Sequence, residues 1–176
     1  MILTLLKNFS LMAKQPILNL PPTPLDRCLD GISFLLLLAL LATTFYYYKL
    51  LPEIIPTHFN ALGEPDAFGD KSSIFLFAGI AVLIYVVLYM FKDKPHLYNY
   101  PTTITAENAA EYYNKASKMM RFLNLVNILI FFYLQYQTIQ TALGKEEGLG
   151  QYFIIFVVIG GLLPLLTFVF SSKKKS

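Results

Sequence analysis

Four long apolar stretches, separated by shorter polar segments, dominate the pattern of residues along the chain. A helix rises about 1.5 Å per residue, so ~20 apolar residues cover the ~30 Å hydrocarbon core of a bilayer. Each stretch therefore predicts a membrane-spanning helix, and the fold class expected is an all-α bundle of four transmembrane helices. The predicted spans are residues 32–48, 74–91, 122–142 and 152–170.

Basic residues are unequally divided between the segments that join these spans. Eleven of the 14 Lys and Arg residues lie on one side of the predicted bundle. Because Lys and Arg are retained on the cytoplasmic side, that side is predicted to face the cytoplasm, together with both termini. The cytoplasmic segments are then a leader (1–31), a loop (92–121) and a basic tail (171–176), and the main outer loop is 51–73.

The leader does not resemble a cleaved signal peptide, because Lys7 and Lys14 interrupt its apolar residues. Its apolar residues instead fall on one helical face, which predicts a helix lying in the inner membrane interface. Translation from Met12 is the alternative. The residues of this face are Ile2, Leu5, Leu6, Phe9 and Met12.

Composition narrows the classes of function. The chain is 56% apolar or aromatic and only 14% charged, which argues against an ordinary soluble enzyme. A net charge of +3 is too weak to indicate nucleic-acid binding. Cys28 is the single cysteine, so an intramolecular disulfide and a multi-cysteine metal site are excluded. No cofactor is predicted, and the lipid bilayer is the expected environment.

The third span is less apolar than the others because a stripe of polar residues follows one helical face. Such a stripe is expected to lie against neighbouring helices, where amide side chains join helices by hydrogen bonds. Its alternative use is to line a transport pathway. No predicted span contains an acidic or basic residue, which argues against a proton-coupled pump. The stripe consists of Asn124, Asn127, Gln135 and Thr138.

The outer loop has the most specific sequence in the chain. Pro52 and Pro56 favour an extended exit from the membrane, and residues 60–63 favour a turn that ends in glycine. We expect Asp66 to pair with Lys71. We also expect apolar side chains to pack the loop onto the outer ends of the spans, namely Ile55, Phe59 and Phe68.

The residues of this loop resemble a bacterial integral-membrane family, the domain of unknown function 1648, which also forms the front part of SdpI-type immunity proteins. A second, weaker part of the resemblance precedes the third span, at Glu107, Asn108, Ala109 and Tyr113. The leader lies outside it. The loop residues that carry the resemblance are Leu51, Pro52, Ile55, Pro56, His58, Phe59, Asn60, Gly63, Pro65, Asp66 and Lys71.

The resemblance implies a small multi-span protein of the bacterial cytoplasmic membrane. Relatives that carry the SdpI module are linked to self-protection against a secreted toxin and to signalling its presence. For this chain the resemblance implies an interaction, sensing or immunity-like role by analogy only. The expected partner is an extracytoplasmic peptide or another membrane protein that binds the outer loop.

Two other classes of function stay open from the sequence. A membrane-embedded enzyme would use His58 as a base, or as a metal ligand with Glu64 and Asp66, although this spacing is a weak metal signal. A small transporter would use the polar stripe of the third span. The alternative role for His58 and the loop carboxylates is structural, in which they hydrogen-bond the loop to itself, and an enzyme is not favoured.

Overall fold

The computed structural model describes residues 15–150 and 152–173. This part of the chain is mostly helical, with one small β-hairpin. The elements in chain order are α1 (Pro24–Tyr48), β1 (Ile54–Phe59), β2 (Pro65–Asp70), α2 (Ile74–Phe91), α3 (Ala109–Ala142) and α4 (Phe153–Lys173). Short 3-10 turns lie at Lys71–Ser73 and Pro95–Leu97.

Helix α1 begins eight residues before the predicted span 32–48, so part of the predicted leader is helical. Thr23 caps the helix, and its side chain accepts a hydrogen bond from the amide of Asp26 while the Asp26 carboxylate accepts from Thr23. Pro24 at the first helical position has no amide hydrogen to lose. This reciprocal capping box starts the helix ahead of its apolar stretch. The interfacial helix predicted within residues 1–14 lies outside the described residues.

The outer loop is not irregular throughout, because it contains a two-stranded antiparallel sheet. Strands β1 and β2 pair from Ile54↔Asp70 to Phe59↔Pro65. The register shifts on both sides of His58, as a β-bulge produces. The all-α prediction therefore needs this correction. The helix that follows the hairpin, α2, coincides with the predicted span 74–91.

Helix α3 is the longest element, with 34 residues. It includes the last part of the predicted cytoplasmic loop 92–121, because the chain is already helical from Ala109 onward. Asn108 precedes the helix, and its side-chain oxygen accepts a hydrogen bond from the amide of Thr105. The polar first half of α3 is thus an extension of the same helix that carries the apolar second half.

Helix α3 is the centre of the fold, since it packs against α1, α2 and α4. Its Ile128 is fully buried with Leu40 of α1 and Ala81 of α2. Gly160 of α4 lies close to Val126, and a Cβ atom there would be 3.0 Å from the valine side chain. Many apolar side chains on the other faces are exposed, as expected for helices that face lipid.

Three helical segments in the described part of the chain are long and apolar enough to cross a membrane. Their mean hydropathy is 2.0, 2.7 and 1.3 for Pro24–Tyr48, Lys71–Phe91 and Ala109–Ala142 respectively. Helix α4 is a further apolar helix and contains Pro164. The chain therefore has the helices of a membrane protein, with the hairpin between the first two.

Candidate functional site

The tip of the hairpin is fixed by the side chain of Asn60. Its Oδ1 atom accepts hydrogen bonds from the amides of Leu62 and Glu64, at 2.9 and 3.0 Å. Gly63 closes the turn with a φ of +83°, a conformation that side chains disfavour. The Nδ2 atom of Asn60 also donates to the Glu64 carboxylate. The Asn60 side chain therefore reinforces a turn that backbone hydrogen bonds between Asn60 and Gly63 or Glu64 also close.

The base of the hairpin is fixed by burial. Ile55 is fully buried with Leu51, Ile74 and Ile139, between the ends of α2 and α3. Pro56 beside it is also fully buried, while Pro52 and Pro65 stay partly or fully accessible. Of the three apolar residues expected to pack the loop down, Ile55 does so and Phe59 is half-buried. Phe68 instead lies 60% exposed.

His58 and Asp66 face each other across the two strands. The Nδ1 atom of His58 lies 2.5 Å from Oδ1 of Asp66, and the two side chains are 68% and 43% exposed. The predicted pairing of Asp66 with Lys71 is wrong. Lys71 follows β2 and lies beside the start of β1, where its Nζ atom is 2.7 Å from the Glu53 carboxylate.

A second outer segment clamps the hairpin. The carbonyl oxygen of Gly63 accepts a hydrogen bond from the amide of Leu149, in the loop between α3 and α4. That loop is supported by α3, because Tyr133 donates to the carbonyl of Leu149 and Gln137 donates to that of Gly148. The clamp was not foreseen from the sequence. The glycine at position 148 is compatible with a close backbone contact, but a glycine in a sequence does not indicate which residue it contacts.

The loop carboxylates do not gather around His58. No group of three or more His, Cys, Asp or Glu side chains within residues 15–150 and 152–173 is placed to hold a metal ion. Glu64, one of the metal candidates, is hydrogen-bonded to Asn60 on the turn. The site thus presents one exposed His–Asp pair on a fixed backbone.

The polar stripe of α3 lies within the bundle. Asn124, Gln135 and Thr138 are buried, and Asn127 is half-buried. The Nε2 atom of Gln135 donates to the carbonyl of Leu40, and its Oε1 atom lies 3.0 Å from the Thr44 hydroxyl. Gln135 therefore joins α3 to α1 in the interior.

Charged side chains meet at the end of the bundle opposite the hairpin, in a cluster that the sequence does not predict. Arg121 of α3 is 2% exposed and contacts the carboxylates of Asp30 and Asp93. Lys92 lies 3.1 Å from Asp30 and 2.6 Å from Asp93. These four residues are named here the inner ion cluster. The apolar pattern predicts that the first span begins at residue 32, after Asp30. It therefore does not predict that Asp30 pairs with Lys92 and Arg121.

The cluster keeps Lys92 and Asp93 ionised. Burial opposes the charge of Lys92, but hydrogen bonds to Asp93 and Asp30 raise its pKa above the ordinary value. Burial likewise disfavours the charged form of Asp93, yet hydrogen bonds from Lys92 and Arg121 lower its pKa. The cluster therefore links the start of α1, the end of α2 and the middle of α3 through ion pairs.

Comparison with known proteins gives one family and one relative. The chain is similar to an uncharacterized protein of Archaeoglobus fulgidus, with 27% identity over 168 residues that cover 86% of this chain and 91% of the relative. No solved structure matches the chain. The segment that carries the hairpin, residues 35–82, matches the family described as Domain of unknown function (DUF1648), as the resemblance of its loop residues predicts.

Proposed function

We propose that the protein is a recognition protein of the cytoplasmic membrane, which binds an extracytoplasmic polypeptide through the hairpin. In this proposal all four helices span the bilayer, both termini lie in the cytoplasm and the hairpin faces outward. The excess of basic residues on the opposite side supports this orientation. An immunity-like or sensing role is the form of recognition that the family resemblance favours.

One observation carries the proposal. The backbone of the hairpin is held by Asn60, Ile55 and the clamp to Leu149. Polar and apolar side chains that could contact a partner remain exposed on it. Besides the His58–Asp66 pair, these include Ile54, Leu62 and Phe68, which are 60%, 72% and 60% exposed. A rigid surface with apolar side chains beside a polar pair loses little conformational entropy on binding.

The polar stripe of α3 supports this function less directly, by joining helices. Gln135 uses both ends of its amide on α1, at Leu40 and Thr44. Asn124 lies 3.4 Å from the carbonyl of Tyr85 on α2. Amide groups engaged in this way stabilise the bundle that holds the hairpin.

The orientation can be tested with a membrane-impermeant maleimide. Cys28 is first replaced by serine, and single cysteines are then introduced by Leu62→Cys at the hairpin tip and Lys94→Cys at the other end of the bundle. In intact cells only the Leu62→Cys variant is expected to react, and Lys94→Cys should react after permeabilisation. Labelling of Lys94→Cys alone in intact cells would reverse the proposed orientation.

Recognition can be tested by site-specific photo-crosslinking in intact cells. A benzophenone amino acid is placed at position 68 or 62 on the hairpin, or at position 76 of α2, where Leu76 is 63% exposed. A polypeptide adduct is expected from the two hairpin positions and not from position 76. Equal adducts from all three positions, or none from the hairpin, would contradict a recognition role.

A further inference from the structure

A polar cavity lies at the end of the bundle opposite the hairpin. Its volume is about 260 Å³, roughly that of eight water molecules. It is covered on one side by the extended segment before α1, and its other walls come from α1, α3 and the α2–α3 connection. The residues that line the cavity include Pro21, Pro22, Asp26, Asp93, Pro95, Ser117 and Arg121.

Asp26 has a carboxylate oxygen that is not satisfied. Its Oδ2 atom accepts hydrogen bonds from the amide and the hydroxyl of Thr23, at 2.8 and 2.7 Å. Its Oδ1 atom is buried and has no hydrogen-bond partner among the described residues. Asp26 as a whole is only 7% exposed. A buried carboxylate oxygen without a donor costs free energy, so a ligand whose N–H or O–H group reaches this oxygen would recover part of that cost.

Among the described residues, Asp26 is the cavity carboxylate without a direct ionic partner. Arg121 also lines the cavity, but its guanidinium is engaged by Asp30 and Asp93. Lys92 is engaged by the same two carboxylates. Arg121 and Lys118 influence Asp26 only through space. A small cation would therefore pair with Asp26 without displacing an existing ion pair.

Three prolines line part of the cavity. Pro21, Pro22 and Pro95 have no amide hydrogen but retain their carbonyl acceptors. Other parts of the wall carry side chains that donate hydrogen bonds, namely Asn19, Asn114 and Ser117. The preference for a donor ligand therefore rests on the Asp26 carboxylate.

We propose that this cavity binds a protonated primary amine, with the ammonium group at Asp26. The ammonium supplies both a positive charge and N–H donors to the Asp26 carboxylate. Two sources share this chemistry: a small soluble amine and the ethanolamine headgroup of a phospholipid. This binding is separate from recognition by the hairpin and does not depend on it.

The full-length protein in phosphatidylcholine nanodiscs provides the test, because choline carries no N–H donor. Methylammonium chloride is titrated while the thermal unfolding midpoint is followed, since a ligand that binds the folded state raises that midpoint. Tetramethylammonium chloride, with the same charge and no N–H, is the matched control for ionic strength. The midpoint is expected to rise in a saturable way with methylammonium only.

Two variants locate the site. Asp26→Asn removes the charge and is expected to weaken methylammonium binding at least tenfold. Thr23→Ala disturbs the same capping box but keeps the carboxylate, so its midpoint should still rise. Glu147→Gln, in the loop between α3 and α4, removes one charge from an exposed residue and is the charge-matched control. If Asp26→Asn does not fold, Ser117→Leu narrows the cavity and is expected to abolish the rise.

Phosphatidylethanolamine nanodiscs distinguish the two sources. A rise in phosphatidylcholine that is lost in phosphatidylethanolamine supports occupation by the lipid headgroup. An equal rise in both lipids supports a soluble amine. The proposal is overturned if methylammonium gives no specific rise in phosphatidylcholine, or if the rise persists unchanged in Asp26→Asn or, where that variant does not fold, in Ser117→Leu.

Discussion

The carbonyl oxygen of Gly63 accepts a hydrogen bond of 2.7 Å from the amide of Leu149. This contact joins the tip of the hairpin to the loop between α3 and α4, two segments that are far apart in the sequence. It is possible only because Gly148 has no side chain, since a Cβ atom there would lie 2.1 Å from the Gly63 oxygen. The hairpin tip and the loop between α3 and α4 are therefore joined directly.

Gly148→Ala should separate the two outer segments. The added methyl group meets a backbone oxygen that no rotamer change can move, so we expect a loss of about 1–3 kcal/mol in the free energy of unfolding. Gly79→Ala is the control, because a Cβ atom at that site meets nothing within 4 Å. Equal stability of the two variants in detergent unfolding would contradict the clamp.

Ile55 and His58 should differ in what they contribute to stability. Ile55→Ala removes a fully buried side chain and is expected to cost about 2–5 kcal/mol. His58→Ala removes an exposed contact with Asp66 and should change the free energy of unfolding by less than about 1 kcal/mol. Unfolding titrations of the two single variants check this. A large loss in His58→Ala would make the pair a structural element.

Gln135 and Thr44 should be energetically coupled across the α1–α3 interface. A double-mutant cycle with Gln135→Leu and Thr44→Val is expected to give a coupling energy of about 0.6 kcal/mol, with ~1.7 kcal/mol as the upper range for membrane helices. The readout is the free energy of unfolding in mild detergent. Strictly additive effects would show that the 3.0 Å contact does not stabilise the bundle.

Tyr98 should contribute to the loss of folding stability at alkaline pH. Burial raises its pKa from 10.0 to about 12, and the charge of Asp93 adds to this effect. Because the folded pKa is the higher one, the contribution is complete below pH 10 and is lost as the pH rises to about 12. Tyr98 also donates a hydrogen bond to the carbonyl of Phe91.

Tyr98→Phe is therefore expected to lose about 1 kcal/mol at neutral pH, from the missing hydrogen bond. The difference in unfolding free energy between the variant and the parent should then shrink between pH 10 and 12. Lys92 also limits alkaline stability, but it is present in both proteins and leaves this difference unchanged. A difference that is constant over the whole range would refute the raised pKa.

The sequence predicts those features that depend on local pattern. The bounds of α2 coincide with an uninterrupted apolar stretch, and the turn at Asn60 and Gly63 follows from the conformational preferences of these two residues. Hydropathy could not reveal the start of α1, since Thr23 and Asp26 set it by capping rather than by burial.

Features that depend on register or on distant contacts could not be predicted. The register of the hairpin, from Ile54↔Asp70 at its base to Phe59↔Pro65 at its tip, places Asp66 near His58 and Lys71 near Glu53. The inner ion cluster likewise requires knowing that three helices meet at Arg121. Sequence spacing describes neighbours on one element, whereas these pairs are made between elements.

The central claim is that the His58–Asp66 pair on the fixed hairpin recognises an extracytoplasmic polypeptide. The most direct test is the yield of the photo-crosslinked adduct from position 68 in intact cells, compared between the parent and the His58→Ala and Asp66→Asn variants at equal membrane levels. We predict that both substitutions reduce the adduct at least tenfold while the protein stays folded. An unchanged yield in both variants would contradict the claim.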